Sequence, residues 1–125
     1  MINIFAIGIG GFIGAVLRYL FTGWIYRLAG TSLPWGTLVV NVAGSFILGF
    51  FLVFEMTRLT LSPALRNFVA IGILGAFTTF STFSYEAVNL IQDQLYMKAL
   101  FYILLNVIIS IIAVWFGMVT ARIMG

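Results

Sequence analysis

The sequence predicts an all-α integral membrane protein with four membrane-spanning helices, and three observations carry that prediction. Hydrophobic residues make up 63% of the 125-residue chain and charged residues only 7%, far less charge than a water-facing surface carries. The mean hydropathy of +1.20 agrees. The charges punctuate the chain, and the uncharged runs between them have the length a bilayer demands, about 20 residues per helix. Six basic and three acidic side chains cannot cover a soluble core of this composition. Strands are disfavoured, because the apolar runs are continuous where a barrel needs alternation in about eight strands or more.

The first span is expected at residues 3–27. It is uncharged up to Leu17, is interrupted by Arg18 and resumes to Tyr26, so Arg18 must sit near a helix end or face protein. The start has no basic segment and no clear cleavage site, which argues against a signal peptide. Five glycines crowd this span (Gly8, Gly10, Gly11, Gly14 and Gly23). Gly10 and Gly14 form a G-x-x-x-G pair that permits close helix contact, and packing is the role expected of all five. A dinucleotide fingerprint is excluded, since neither a preceding strand nor a following acidic residue is present.

Residues 29–34, Ala-Gly-Thr-Ser-Leu-Pro, carry turn chemistry and separate the first span from the second, expected at 34–56. That second span lies in a 27-residue uncharged run, 28–54. Gly44, Ser45 and Gly49 make it smooth, and Asn41 lies at its middle. The third span is expected at 66–91, around a 19-residue run at 67–85. Ser62 followed by Pro63 reads as an N-cap and a first helical position. Gln92-Asp93-Gln94 marks the last turn, and the fourth span, 98–122, contains a 23-residue run at 99–121. Trp24, Tyr26, Trp35, Tyr96 and Tyr102 fall near span ends, where aromatic belts sit. The four spans make one domain, 1–125, with both termini on the same side.

The chain has no cysteine and no histidine. That excludes a disulfide scaffold, a zinc site, a histidine base and a cysteine nucleophile, and nothing suggests an enzyme. The net charge of +3 is scattered over span ends, so it does not describe a nucleic-acid surface. Arg58, Arg66 and Arg122 fall on the terminal side; Arg27, Lys98 and Arg18 fall on the other. Three against three leaves the positive-inside rule with almost no instruction. Either one charge decides, or the chain inserts both ways and opposed copies pair as an antiparallel homodimer.

The remaining signal lies in polar residues inside the spans. The Asn41 amide is expensive in lipid unless it is partnered or faces water; it is either an interhelical bond or a pore ligand. Thr78, Thr79, Ser81, Thr82 and Ser84 put five hydroxyls in seven positions of the third span. A single one would bond back to its own helix, but five beside Gly72 and Gly75 suggest a break around residues 75–79. Broken helices expose carbonyls that hold cations and amides that face anions. Glu86 ends this polar track. Phe77, Phe80 and Phe83 recur every third residue, either as packing or as ring edges for a small anion. Tyr102, Asn106 and Ser110 form one polar stripe on the fourth span. Arg18 either concentrates anions at an entrance or snorkels.

These residues resemble the CrcB/Fluc family of small fluoride channels. The matching stretches are Gly10-Gly11-x-x-Gly14-Ala15-x-x-Arg18-Tyr19, then Gly36-Thr37-Leu38-x-Val40-Asn41-x-x-Gly44-Ser45-Phe46, and Gly72-x-x-Gly75-Ala76-Phe77-Thr78-Thr79-Phe80-Ser81-Thr82-Phe83-Ser84-x-Glu86. The resemblance implies an antiparallel, dual-topology homodimer in a bacterial inner membrane that exports fluoride passively and protects against its toxicity. It implies that Phe80 and Phe83 line the pore with Asn41. It also implies that Ser81, Thr82, Ser84, Glu86, Tyr102 and Ser110 form the polar track, with Arg18 at the entrance. The carbonyls of Gly75 and Thr78 would hold a structural Na+ at the dimer centre. The competing expectation is a small coupled transporter of the multidrug type. Such a protein would place a carboxylate in the first span, and here that span has none.

Overall fold

A computed structural model describes residues 1–125. It is all helical, and four helical stretches are long and apolar enough to cross a membrane: Ile2–Ala29, Trp35–Arg58, Pro63–Gln92 and Tyr96–Met124. The first two are helices α1 and α2. The third stretch divides into α3 (residues 63–77) and α4 (Phe80–Gln92), and the fourth is α5. Helix α1 packs chiefly on α3, and α2 chiefly on the C-terminal half of α5, with α1 and α2 touching between the two pairs.

Glycine and alanine make this packing possible. Only 21 of the 125 residues are buried, and seven of those are glycines. Lipid tails give no hydrophobic force between helices, so association depends on close van der Waals approach. A Cβ on Gly10 would strike the carbonyl of Phe68, and one on Gly14 the carbonyl of Ile73. Across the other pair, Gly49 lies against the Val114 carbonyl and Gly117 against that of Phe46. Gly8, Gly11 and Gly23 depart from the packing role expected of them, since an added Cβ there meets nothing within 4 Å. The space beside each of them is open. The long apolar side chains point outward as well: Ile2, Phe12, Met97 and Ile123 are all exposed.

Local chemistry sets the helix ends. The Ser62 hydroxyl accepts the Leu65 amide at 3.2 Å, and Pro63 occupies the first turn. This cap opens α3 after a link of only residues 59–62. Glu55 at the end of α2 faces Arg66 at 3.6 Å and ties the two helices at that boundary. Inside α3, Phe68–Leu74 is π-helical, and the Gly75 amide reaches back five residues to Ala70. A second π-helical stretch, Leu105–Ile109, interrupts α5. Such stretches occur mostly as single wide turns near functional sites.

The break in the third span is narrower than the 75–79 window expected. Gly75 keeps helical dihedrals (φ −63°, ψ −37°). Only Thr78 (φ −87°, ψ 157°) and Thr79 (φ −151°, ψ 121°) are extended. Helix α4 starts at once, because the Thr79 hydroxyl accepts the Thr82 amide at 3.2 Å as an N-cap.

Candidate functional site: a polar groove and chamber around the helix break

An extended pair of residues in a lipid-embedded span leaves main-chain groups without helical partners. Asn41, on α2, supplies the replacement. Its Oδ1 accepts the Thr79 amide at 2.8 Å, and its Nδ2 donates to the Thr79 carbonyl at 3.1 Å. The same Nδ2 donates to Asn106 Oδ1 on α5 at 3.0 Å. One side chain thus clamps the break and joins three helices. The carbonyls of Gly75, Ala76 and Phe77 lose their donors at the break, since the Thr79 amide that would have reached Gly75 has turned to Asn41. These oxygens form the electronegative end of α3, and Gly75 lies exposed on the outside of the chain.

Two polar hollows adjoin the break, and a third lies beyond the second. The first is an open groove of about 300 Å³. Asn41 and Ser45 of α2, Thr78 and Thr79 at the break, Phe80 and Phe83 of α4, and Asn106 and Ser110 of α5 line it. The Phe80 and Phe83 rings meet edge to face with centroids 5.5 Å apart. Phe83 is buried, whereas Phe80 is 77% exposed and stands over the open side of the groove. Aromatic edges are electropositive, and the Ser110 hydroxyl is buried without a partner inside the chain.

The second hollow is a chamber of about 260 Å³ on the other side of Thr79. Thr79, Thr82 and Glu86 enter from one face of α4, and Arg18, Thr22 and Tyr26 from one face of α1, with Thr37 from α2. Spacings of three and four residues bring each set onto a common face. The Thr37 hydroxyl donates to Glu86 Oε1, and the Tyr26 hydroxyl to Oε2 at 3.2 Å. The third hollow is a mouth of about 270 Å³ formed by residues 31–34 with Asn89 and Asp93.

The residues singled out in the sequence divide among these places. Asn41, Phe80, Phe83 and Ser110 meet in the groove; Arg18, Thr82 and Glu86 meet in the chamber. Ser81 and Ser84 line neither. Ser84 bonds back to the Phe80 carbonyl at 2.9 Å, and Ser81 lies 3.4 Å from the Thr79 hydroxyl. Tyr102 sits beneath the groove, fully buried against Phe83, with its hydroxyl unpartnered. Thr37 and Tyr26 were not singled out for a site, although Thr37 lies four residues before Asn41, and Arg18, Thr22 and Tyr26 recur every fourth residue. No group of three His, Cys, Asp or Glu side chains comes together. The oxygen donors at the break are main-chain carbonyls at a half-helix C-terminus, a donor set that suits sodium in other membrane proteins with broken helices.

Comparison with known proteins adds a family. The model of the family described as CrcB-like protein, Camphor Resistance (CrcB), matches residues 5–118. A protein of Agrobacterium fabrum named fluoride-specific ion channel FluC is 46% identical over 122 residues, covering 98% of each chain. One of the same name from Rhizobium meliloti is 44% identical over 124 residues, 99% of each chain. Another, from Geobacter sulfurreducens, is 43% identical over 122 residues, again 98% of each.

Proposed function

Because the chain belongs to the CrcB family, we propose that it is a passive, fluoride-specific ion channel, a multi-pass protein of the bacterial inner membrane and not an enzyme. Fluoride leaves the cytoplasm down its electrochemical gradient, and the cell is thereby protected from its toxicity. The observation that carries the chemistry is the lining of the groove. A strongly hydrated anion must exchange water for donors; the groove offers Ser45 and Ser110 hydroxyls together with the ring edges of Phe80 and Phe83. The Asn41 amide holds the break open beside them. Thr82 and Glu86 continue the pathway, Tyr102 backs it, Ser81 and Ser84 flank it, and Arg18 draws anions to the chamber.

The working unit in this reading is an antiparallel homodimer, each copy acting as one four-helix domain. Three features support pairing: the groove is open on one side, Phe80 is exposed in what would be lipid, and Gly75 faces outward. Two copies would bring two sets of free carbonyls together, those of Gly75 and Thr78 holding a structural Na+, which would neutralise the facing negative helix ends. Purified protein in liposomes tests the reading. Fluoride efflux should far exceed chloride efflux and should fall when sodium is thoroughly removed. Absent fluoride efflux, or equal efflux of the two ions, would refute the channel assignment; fluoride efflux indifferent to sodium would refute the cation site alone.

A further inference from the structure

The chamber and the mouth share two residues, Tyr26 and Glu86. The hydrogen bond between them, 3.2 Å from the Tyr26 hydroxyl to Oε2, therefore lies in the partition between the two spaces. Thr37 holds the other carboxylate oxygen from the chamber side. Three helices converge here, with the ring from α1, the hydroxyl from α2 and the carboxylate from α4.

Resting on the anion-channel reading, we propose that Tyr26 and Thr37 are positioning residues that pin the Glu86 carboxylate in this partition and spend its charge on two O–H donors, so that an anion can pass. A carboxylate in a narrow anion path is an electrostatic barrier. Two like charges repel several times more strongly beside protein than in bulk water. Hydrogen bonding to the charged oxygens disperses that charge and fixes its direction. Freed of its donors, the side chain would swing on its two methylenes into the chamber where Thr82 and Thr79 also stand. Arg18 lines the same chamber and opposes the carboxylate, yet no ion pair between them forms. The hydroxyls, and not a basic partner, do the holding. Tyr26 thus has a role besides that of an interfacial anchor, because its ring spans from the helix end to the partition.

The test is fluoride efflux from liposomes at equal protein density, with the wild-type chain as control. A silent wild type would overturn the channel reading itself and not the clamp in particular. Tyr26→Phe keeps the ring and removes the hydroxyl, and should slow efflux about fivefold or more, the rate equivalent of one lost hydrogen bond. Thr37→Val should do the same, and Thr37→Ser should restore efflux to within about twofold of wild type. Glu86→Gln removes the charge from a pathway residue and should alter the efflux rate without abolishing it. On that background Tyr26→Phe should change efflux by less than about twofold, because a residue acting through the charge has nothing left to act on. Efflux of Tyr26→Phe within twofold of wild type would overturn the clamp. So would equal loss with and without Glu86→Gln, a Thr37→Ser variant as slow as Thr37→Val, or a silent Glu86→Gln.

Discussion

At the level of single residues, Asn41 carries the most. Its side chain stands in for the hydrogen bonds that an unbroken helix would have made at Thr79. Replacing it by leucine leaves the amide and carbonyl of Thr79 and the oxygen of Asn106 without partners in a low-dielectric interior. Each stranded group costs about 1–3 kcal/mol. Asn41→Leu should therefore lower stability in detergent by a few such increments and reduce fluoride efflux by about tenfold or more. Thermal unfolding and liposome efflux read the two effects, and unchanged efflux would show that the clamp is dispensable. Asn41 was legible in the sequence as an amide too expensive to leave unpaired. Its partners were not, since they lie 38 and 65 residues away and only tertiary packing brings them within reach. Tyr26 was masked by an ordinary alternative, as a tyrosine near a span end already has a reason to be there.

Helices and their contacts follow a different logic, that of space. Gly14 rests on the main chain of Ile73, whereas Gly23 on the same helix meets nothing. Gly14→Leu should push α1 from α3 and cost about 1–3 kcal/mol or more, in the manner of other overpacked contacts. Gly23→Ala should be neutral or stabilising by up to about 1 kcal/mol, the helix-propensity difference. Comparing the unfolding temperatures of the two variants checks this; equal destabilisation would contradict the packing described. The sequence announced glycine contacts and a broken third span through composition alone. It did not distinguish glycines that pack from those that do not, because a G-x-x-x-G stripe has no partner until helices pair. It also spread the break over 75–79. The structure confines it to Thr78 and Thr79, because the position is decided by where Asn41 can reach and where Thr79 can cap α4.

Over the whole molecule, the four-helix membrane architecture was legible from charge spacing, as bilayer thickness constrains it strongly. The pairing of α1 with α3 and of α2 with α5 was not, since α1, α2 and the C-terminal half of α5 carry little amphipathic direction. Orientation is set by very few charges. Arg58, Arg66 and Arg122 balance Arg18, Arg27 and Lys98, so the proposed dual topology is directly measurable. The chain has no cysteine, and Thr60 is exposed in the link between α2 and α3. A Thr60→Cys chain treated with a membrane-impermeant thiol reagent on intact cells should be labelled in about half of its copies, given the near-absence of charge bias. Labelling of all copies, or of none, would mean one fixed orientation and would remove the basis for antiparallel pairing.

The π-helical stretch of α5 has a consequence for how this chain tolerates changes in length. A single wide turn amounts to one residue more than an α-helix over the same distance needs. Asn106 lies within that stretch, and Ser110 directly follows it. Deleting Ile108 would let the turn relax into regular helix, and everything beyond it would keep its phase against α2, including Gly117 on Phe46. Deleting Ile112, only four residues on but in regular helix, has no such slack to absorb it. The rest of α5 would rotate by about 100° and shift by about 1.5 Å, carrying Gly117 off its contact. Two deletions with the same mass and the same composition should thus differ widely in folded yield, and insertions and deletions across family members should gather in the wide turn.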